Sequence, residues 1–413
     1  MDMQTTNRTF SLAEELKPKR PYLTPFNIIT APVILLGVVL IVMRFALGLG
    51  SVTNLSQDFP WGLWIGFDVL VGIAFAGGSY VISFMYYILG KKVYHPIVRV
   101  TVLNGFLSYS FYAGALVLDL GRPWNAFNFL IGNEFGVASV MFMVAWHFFL
   151  YTLLLLVEFV PAIAEWIGAK RLWRAVNWVN LVAVVLGITI ALGHQSGVGG
   201  LFLLAKAKIH PLWYSQMIPL LFIVSSMFAG LCMVIFEGSI TSRAFRARLS
   251  DEMSSTHDTI VINLAKISAG IIAVYLVLKI FDLFQDNAWG LLATPFGAWY
   301  LLEVIGFVLI PGFLFFSGAR KESLPMIKTA AAMAMIGIFI NRFNFVFIAY
   351  NWTEPVKYYP SWMEIIVTLT VIFAELWVYR WVINRMPVIS ERPRWAREHG
   401  QNKDSNDKLY QAV

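Results

Sequence analysis

The stretch FNIITAPVILLGVVLIVMRFALG, residues 26–48, carries a single ionisable side chain, Arg44. A run of about 18 or more apolar residues is long enough to cross the hydrocarbon core of a bilayer as a helix. There a helix satisfies all of its own backbone polar groups. Outward from this stretch, nine more runs read the same way, near 62–89, 97–118, 136–159, 175–193, 212–236, 260–284, 296–317, 326–350 and 362–382. The 413 residues are 58% hydrophobic and 13% charged, with mean hydropathy +0.68. Soluble domains carry about 25% charged residues. The sequence therefore predicts an all-α polytopic membrane protein of about ten transmembrane helices.

The charge lies between the runs, and it alternates. The N-tail, the even-numbered turns (Lys91, Lys92, Arg99; Lys170, Arg171, Arg174; Arg243, Arg246, Arg248; Arg320, Lys321, Lys328) and the C-tail hold 23 of the 31 Lys and Arg. The opposite side holds four, Arg122, Lys206, Lys208 and Lys357; another four, Arg44, Lys266, Lys279 and Arg342, lie inside runs. The positive-inside rule then puts both termini in the cytoplasm and the odd-numbered loops in the periplasm of a bacterial inner membrane. This placement accounts for the net charge of +7 without a nucleic-acid partner. Residues 1–25 lack the apolar segment and small-residue cleavage site of a secretory signal, and Ser11-Leu-Ala-Glu14 fits a capping box. The charged tail after Met386 reads as mobile. The one cysteine, Cys232, can form neither an intrachain disulfide nor the usual four-thiolate iron–sulfur site; it reads as a small buried hydrophobe.

A short repeat is visible. Phe75-Ala-Gly with Val81-Ile matches Phe228-Ala-Gly with Val234-Ile, and Leu116-Val-Leu matches Leu276-Val-Leu. The members of each pair run in the same direction, which predicts two parallel four-helix bundles, helices 2–5 and 6–9, with helices 1 and 10 peripheral. The corresponding segments are an N-tail (1–25), a first helix and loop (26–61), the two bundles (62–211 and 212–361), a last helix (362–382) and a charged tail (383–413).

Ionisable groups inside a span are expensive and mark function by default. Near the periplasmic ends lie Arg44, Asp68, Asp119, His194, Lys279, Asp282 and Arg342, a crowding that predicts a polar pocket opening there. In Trp61-Gly-Leu-Trp64-Ile-Gly-Phe-Asp68, helical spacing puts Trp61, Trp64 and Asp68 on one face, an aromatic wall above a carboxylate that suits a flat, partly polar ring. The bland alternative is an interfacial Trp belt. His194 closes helix 5 in Gly193-His-Gln-Ser-Gly-Val-Gly-Gly200, and near neutral pH a histidine can give or take a proton; the alternative is a capping histidine. Asp119 ends helix 3 in Asp119-Leu-Gly-Arg122-Pro-Trp124, where Arg122 is its nearest partner in sequence. Arg342 reads as a counter-ion for these acids or as half of a structural ion pair. Tyr80, His147, Glu158, Glu237, Lys266 and Glu303 form a candidate proton path toward the cytoplasm, with snorkelling or interhelical pairing as the alternative for each.

Haem is disfavoured on count and depth. Of six histidines only His147 and His194 are near the spans. His147 is expected roughly 16 Å below the start of helix 4, and His194 at the surface. No metal ligand set is expected.

Several segments, in order, resemble the NrfD/polysulfide-reductase-C superfamily, most of all HybB-type subunits. They are Phe45-Ala-Leu-Gly-Leu-Gly-Ser51, Phe59-Pro-Trp-Gly-Leu-Trp-Ile-Gly-Phe-Asp68, Tyr94-His-Pro-Ile-Val-Arg99, Asp119-Leu-Gly-Arg-Pro-Trp124, His194-Gln-Ser-Gly-Val-Gly-Gly200, His210-Pro-Leu-Trp213 and Val234-Ile-Phe-Glu-Gly238. Gly197 departs from the serine that HybB-type sequences favour. The resemblance implies a haem-free membrane subunit that binds quinone near the periplasmic face, in the unit of helices 2–5. It implies a docked periplasmic iron–sulfur subunit and further redox partners of the hydrogenase, multihaem cytochrome or molybdopterin type.

The function expected on these grounds is the quinone-reactive subunit of a menaquinone oxidoreductase complex. Asp68 and His194 would carry protons to the quinone oxygens, Asp119 or Arg122 would orient them, and Gln195, Trp61 and Trp64 would line the site. The loop 194–211, with Lys206 and Lys208, is the expected partner-docking surface. The rival readings are a secondary transporter, which a parallel repeat with buried charges also fits, and a passive anchor for a periplasmic enzyme.

Overall fold

The computed structural model describes residues 17, 19, 21, 23–131, 136 and 138–397. The capping box at Ser11–Glu14 and the last part of the charged tail lie outside the described residues. Among the described residues ten helices are long and apolar enough to span a bilayer: α1 Pro25–Leu47, α2 Ile65–Ile88, α3 Lys92–Asp119, α4 Val140–Ile167, α5 Lys170–Leu203, α6 Ile218–Ala244, α7 Asp251–Gln285, α8 Pro295–Arg320, α9 Leu324–Ile348 and α10 Trp362–Ile383. The protein is an all-α, multi-pass integral membrane protein. One face holds the turns rich in Lys and Arg and is called here the basic face; the other is the far face.

Local chemistry sets the helix ends. Thr24 accepts a hydrogen bond from the Asn27 N–H with Pro25 in the first turn, and Thr294 and Pro295 repeat the device at α8. Ser250 caps α7 ahead of Asp251 and Glu252, which favour the positive end of the helix dipole. Ser361 and Glu364 form a capping box on α10. Gly168, left-handed at φ 72°, separates α4 from α5, a conformation that costs glycine little.

Helices α2, α3, α4 and α5 pack in a closed ring, and α6, α7, α8 and α9 in a second. The rings join where α6 meets α2 and α5, and where α9 meets α2. The two copies of Phe-Ala-Gly meet at this junction. A Cβ on Gly230 would sit 2.0 Å from the Gly78 nitrogen, and one on Gly77 2.5 Å from the Ser226 carbonyl oxygen. Small residues at such a crossing let helix backbones touch, which is how helices associate where water supplies no hydrophobic drive. Helices α1 and α10 pair with each other against α3. Gly37 lies on Thr370, and Trp377 donates to Thr30 Oγ1 at 2.8 Å.

Two expectations fail here. Helix α5 does not stop at residue 193; it continues to Leu203 through the Gly-rich segment. Those glycines are packing positions: a Cβ on Gly197 would meet Val144, and one on Gly199 would meet Pro219. The docking loop expected over 194–211 therefore shrinks to a short connection after the helix. The chain after Met386 is not mobile up to residue 397. Met386, Val388, Ile389 and Ala396 are buried, and Arg392 reaches Glu165 at 3.4 Å. Glu165 is otherwise held by the Arg99 fork at 2.7 and 2.8 Å. A buried carboxylate needs such partners, and the tail supplies one.

Candidate functional site

Helix α2 is interrupted, and the interruption places the site. Ile65–Gly72 is wound as a π-helix, a form that recurs at functional sites. At Ala76–Gly77 the winding breaks again, and Gly77 bonds to the Ala74 carbonyl. The Ile73 carbonyl is met by the Gln195 side-chain amide of α5 at 3.1 Å. This bond sets α5 so that the neighbouring His194 points into the first ring.

His194 is fully buried, not at the surface. Its Nδ1 is 3.3 Å from the Tyr109 hydroxyl. Phe148 and Tyr109 flank its ring at centroid distances of 5.3 and 5.6 Å. Its Nε2 has no partner among the described residues. A buried polar atom left unpaired costs roughly 1–3 kcal/mol, so this nitrogen marks room for a ligand or water. A polar column descends from Tyr109. Its ring meets Tyr151 at 4.7 Å, the Tyr151 and Ser79 hydroxyls are 2.9 Å apart, and nearer the basic face Ser83 donates to Glu158 at 2.7 Å.

Above His194, on the far face, Trp61 stacks on Tyr350 at 6.1 Å and meets Phe202 edge-on at 5.7 Å. These rings border a groove of about 360 Å³ lined by Trp61, Met141, Leu201, Leu204, Lys208 and Tyr350, among others. The ammonium of Lys208 lies 5.7 Å from the Tyr350 ring centre. Leu201 is seven residues past His194, so the groove floor lies roughly 10 Å above the imidazole.

The expected aromatic wall does not form. Trp64 turns away from Trp61 and donates to the Glu364 carbonyl at 3.2 Å, because the helix begins at Leu63 and Trp61 lies ahead of it. Asp68, 2% exposed, follows Trp64 toward α3 and α10 and lies within electrostatic range of Asp119 and Glu375. Arg122 is exposed. The cation beside Asp119 is Arg44, whose guanidinium bonds the Leu118 carbonyl at 2.5 Å and the Leu120 carbonyl. A basic side chain on the last carbonyls of a helix is favoured by their partial charge. Asp119 Oδ1 stays unpartnered among the described residues.

The far-face crowding is thus three places, not one pocket. The third lies in the second ring. There Glu303 accepts from Trp213 at 2.9 Å, from Asn341 at 2.6 Å and from Asn344. Arg342 donates to Ser225 at 2.7 Å and covers the Phe222 ring, while Lys279 faces Tyr300. Arg342 is therefore no counter-ion for Asp68 or Asp119.

The six residues expected as one proton path also scatter. Glu158 belongs to the His194 column. Tyr80 bonds Ser226 at 2.8 Å between the rings. Glu237 accepts from Asn104 at 2.7 Å, Glu303 sits in the second ring, and Lys266 is exposed on α7. His147 packs on Gly193, beside His194. Their expected separation in depth fails because α4 starts at Val140 and α5 runs on. The depth argument against haem therefore does not hold.

Sequence reading passed over Tyr109, Tyr112 and Ser108, and named Arg44 without giving it to Asp119. The signal for three of them was a polar stripe in an apolar helix, Asn104, Ser108 and Tyr112 at four-residue spacing, with Tyr109 beside it.

The family model described as polysulphide reductase, NrfD, matches residues 51–354. The chain belongs to this family. A protein of Nitratidesulfovibrio vulgaris is 40% identical to this NrfD-family chain over 379 residues, 91% of this chain and 97% of its own length. The probable Ni/Fe-hydrogenase 2 b-type cytochrome subunit of Escherichia coli is 30% identical over 380 residues, 91% and 95% of the two chains. The menaquinone reductase integral membrane subunit of N. vulgaris is 28% identical over 345 residues, 76% of this chain and 78% of its own.

Proposed function

We propose that this NrfD-family chain is the quinone-reactive membrane subunit of a respiratory redox complex in the bacterial inner membrane, with its far face in the periplasm. The observation that carries the proposal is the unpartnered Nε2 of His194 inside the first ring, beneath a far-face groove. The relative named as a menaquinone reductase subunit supplies the ligand class, and menaquinone is the member proposed here.

The residues fit such a group. Ligand pockets run about 300–1,000 Å³ and are mostly apolar with few polar anchors, and the groove has this size and character. A bound quinone supplies two-electron, two-proton chemistry. Trp61 and Tyr350 flank the entry by which a bicyclic head would reach His194, and Lys208 offers a cation at the mouth. Electrons pass between this site and an iron–sulfur subunit docked on the far face, itself joined to hydrogenase, multihaem or molybdopterin-type partners. His194 holds a proton-exchanging nitrogen, which Tyr109 and Gln195 keep in place. Asp68, on the other side of α2, is the second proton-bearing group, and Arg44 orients Asp119 beside it. The column from Tyr109 to Glu158 leads protons toward the basic face, so turnover is electrogenic.

The test is purification of the native complex in mild detergent, quinone extraction, and assay with a menaquinone analogue in wild type, Asp68→Asn and His194→Ala. Bound quinone, metal-bearing partners and activity lost in intact variants are expected. A quinone-free protein that works alone points to a transporter. Full activity in both variants reduces the chain to an anchor.

A further inference from the structure

Helix α3 carries polar residues on a second face, turned away from the His194 column. Asn104, Ser108 and Tyr112 recur every four residues, so they stack along one side of the helix, and Asp119 ends it. Each meets a carboxyl or lies near one. At the far face, Asp119 and Asp68 are within electrostatic range of each other. Tyr112 lies below them, in electrostatic range of Asp68 and of Glu375 of α10. Ser108 donates to the same Glu375 at 2.7 Å. Glu375 is in electrostatic range of Glu237 on α6, which accepts from Asn104 at 2.7 Å and lies in electrostatic range of Tyr379. Tyr379 and Thr241 hydroxyls, 3.1 Å apart, close the row one turn from the basic end of α6. From Asp119 to Asn104 the row descends about 22 Å along α3, most of the roughly 30 Å hydrocarbon thickness.

The row is built with open valences. Asp68, Ser108, Tyr112, Glu375 and Tyr379 are all buried. Asp68 Oδ1, Asp119 Oδ1 and Glu237 Oε1 are buried and have no partner among the described residues. A static ion-pair network would saturate these oxygens, as the second ring saturates Glu303. A buried water can fill such sites when two or more polar partners surround it. Among the described residues the cation in electrostatic range of the row is Arg44, beside Asp119 at its far-face end, where Glu364 adds a further carboxyl, so the row's four carboxyls share one cation. Burying them all as anions is too costly, and the row therefore holds exchangeable protons.

We propose that Asp119, Asp68, Glu375 and Glu237, linked by Tyr112, Ser108 and Asn104, form a second transmembrane proton row between α3, α6 and α10, separate from the His194 column. It conducts by relay: a proton taken up at one end is matched by one released at the other, with no net bond change in the protein. Its coupling to electron transfer rests on the quinone reading above.

The experiment uses the native complex with its partner subunits, reconstituted in liposomes with an internal pH dye. Quinone-linked electron transfer and proton movement are recorded together. Glu375→Gln keeps the shape and hydrogen-bonding capacity but removes the exchangeable proton. The expected result is electron transfer retained in uncoupled vesicles, with proton movement per electron reduced, and recovery in Glu375→Asp. An unchanged ratio of protons to electrons in Glu375→Gln overturns the row, as does wild-type turnover without proton movement. Should Glu375→Gln fail to assemble, Asn104→Leu cuts the row below Glu375 and is read the same way. If wild type shows no quinone-linked electron transfer, the functional reading has failed and infrared spectra in H2O and D2O judge the row alone. A deuterium-sensitive protonated-carboxyl band that is lost in Glu375→Gln supports it, and identical spectra overturn it.

Discussion

The two four-helix rings hold comparable polar cargo and treat it oppositely. In the second ring Glu303 accepts from three side chains, and Arg342 is spread over Ser225, Asn341 and the Phe222 ring. Elsewhere in that ring Glu237 Oε1, Ser268 Oγ, Asp282 Oδ1 and Arg342 Nε are unpartnered among the described residues, so the contrast lies between the two central residues. In the first ring the central imidazole has one weak partner at 3.3 Å and an open nitrogen, and His147 beside it has an unpartnered Nδ1. Both rings stand at one glycine crossing and contain π-wound carboxylate helices, α2 at Asp68 and α8 at Glu303. What separates a structural network from a reactive one here is saturation, not the kind of residue. A fully bonded buried group rigidifies its surroundings; an incompletely bonded one is held ready for something else.

The sharpest way to break this contrast is to exchange the central residue of each ring. His194→Ala is expected to lower quinone-linked turnover of the assembled complex by about 10²–10⁴-fold, the range for losing a positioned acid or base, with little change in its unfolding temperature. Steady-state assay and thermal scanning of one preparation check both halves. Glu303→Ala is expected to do the reverse. It strands the amides of Asn341 and Asn344 and the Trp213 indole, and should cost about 3–5 kcal/mol of stability, as breaking a buried charged network does. Equal loss of activity per folded molecule in the two variants would abolish the distinction.

Next in size is the crossing that both rings share. Gly230→Ala places a methyl where the Gly78 backbone stands, and an overpacked contact costs about 1–3 kcal/mol. Denaturation in detergent should show one transition at lower temperature if the rings unfold together. Two transitions would make them separate units. Trp61→Ala should raise KM for a menaquinone analogue with kcat nearly unchanged, since it removes a stacking surface from the groove rather than a proton group.

The smallest effect is at His210, outside the spans. It stacks on Phe296 at 4.5 Å, meets Trp352 edge-on at 4.7 Å, and its Nδ1 accepts from the Leu212 N–H at 3.2 Å. Burial lowers its pKa from the ordinary 6.5. The unfolded chain then binds more protons than the folded one just below pH 6.5, so stability should fall as pH drops through that window. His210→Gln should flatten the fall, which unfolding measured from pH 7 downward would show.

Part of the site was open to reading from sequence. Asp68, His194 and Glu158 were singled out because ionisable groups in lipid are rare and costly, and Asp68 and His194 are buried. Gln195 was found as a neighbour of His194, although its bond to Ile73 depends on a helix break that no residue count reveals. Trp64 and Arg122 were misassigned for one reason: spacing along an ideal helix, or nearness along the chain, stood in for direction in space. Trp61 lies ahead of the helix that carries Trp64 toward α10, and Arg44, 75 residues before Asp119 in sequence, took the place given to Arg122.

The sequence by itself determined ten helices of membrane-spanning length among the described residues, where the basic residues gather and which short segments recur. These follow from apolar length, charge and identity, which are properties of single segments. Tertiary structure alone decided which polar groups meet. Gly193 to Gly200 read as a loop and folded as helix because neighbouring helices packed against the glycines. Six ionisable residues read as one path and fell into separate places, because a helix has several faces and only its neighbours decide which group each face meets.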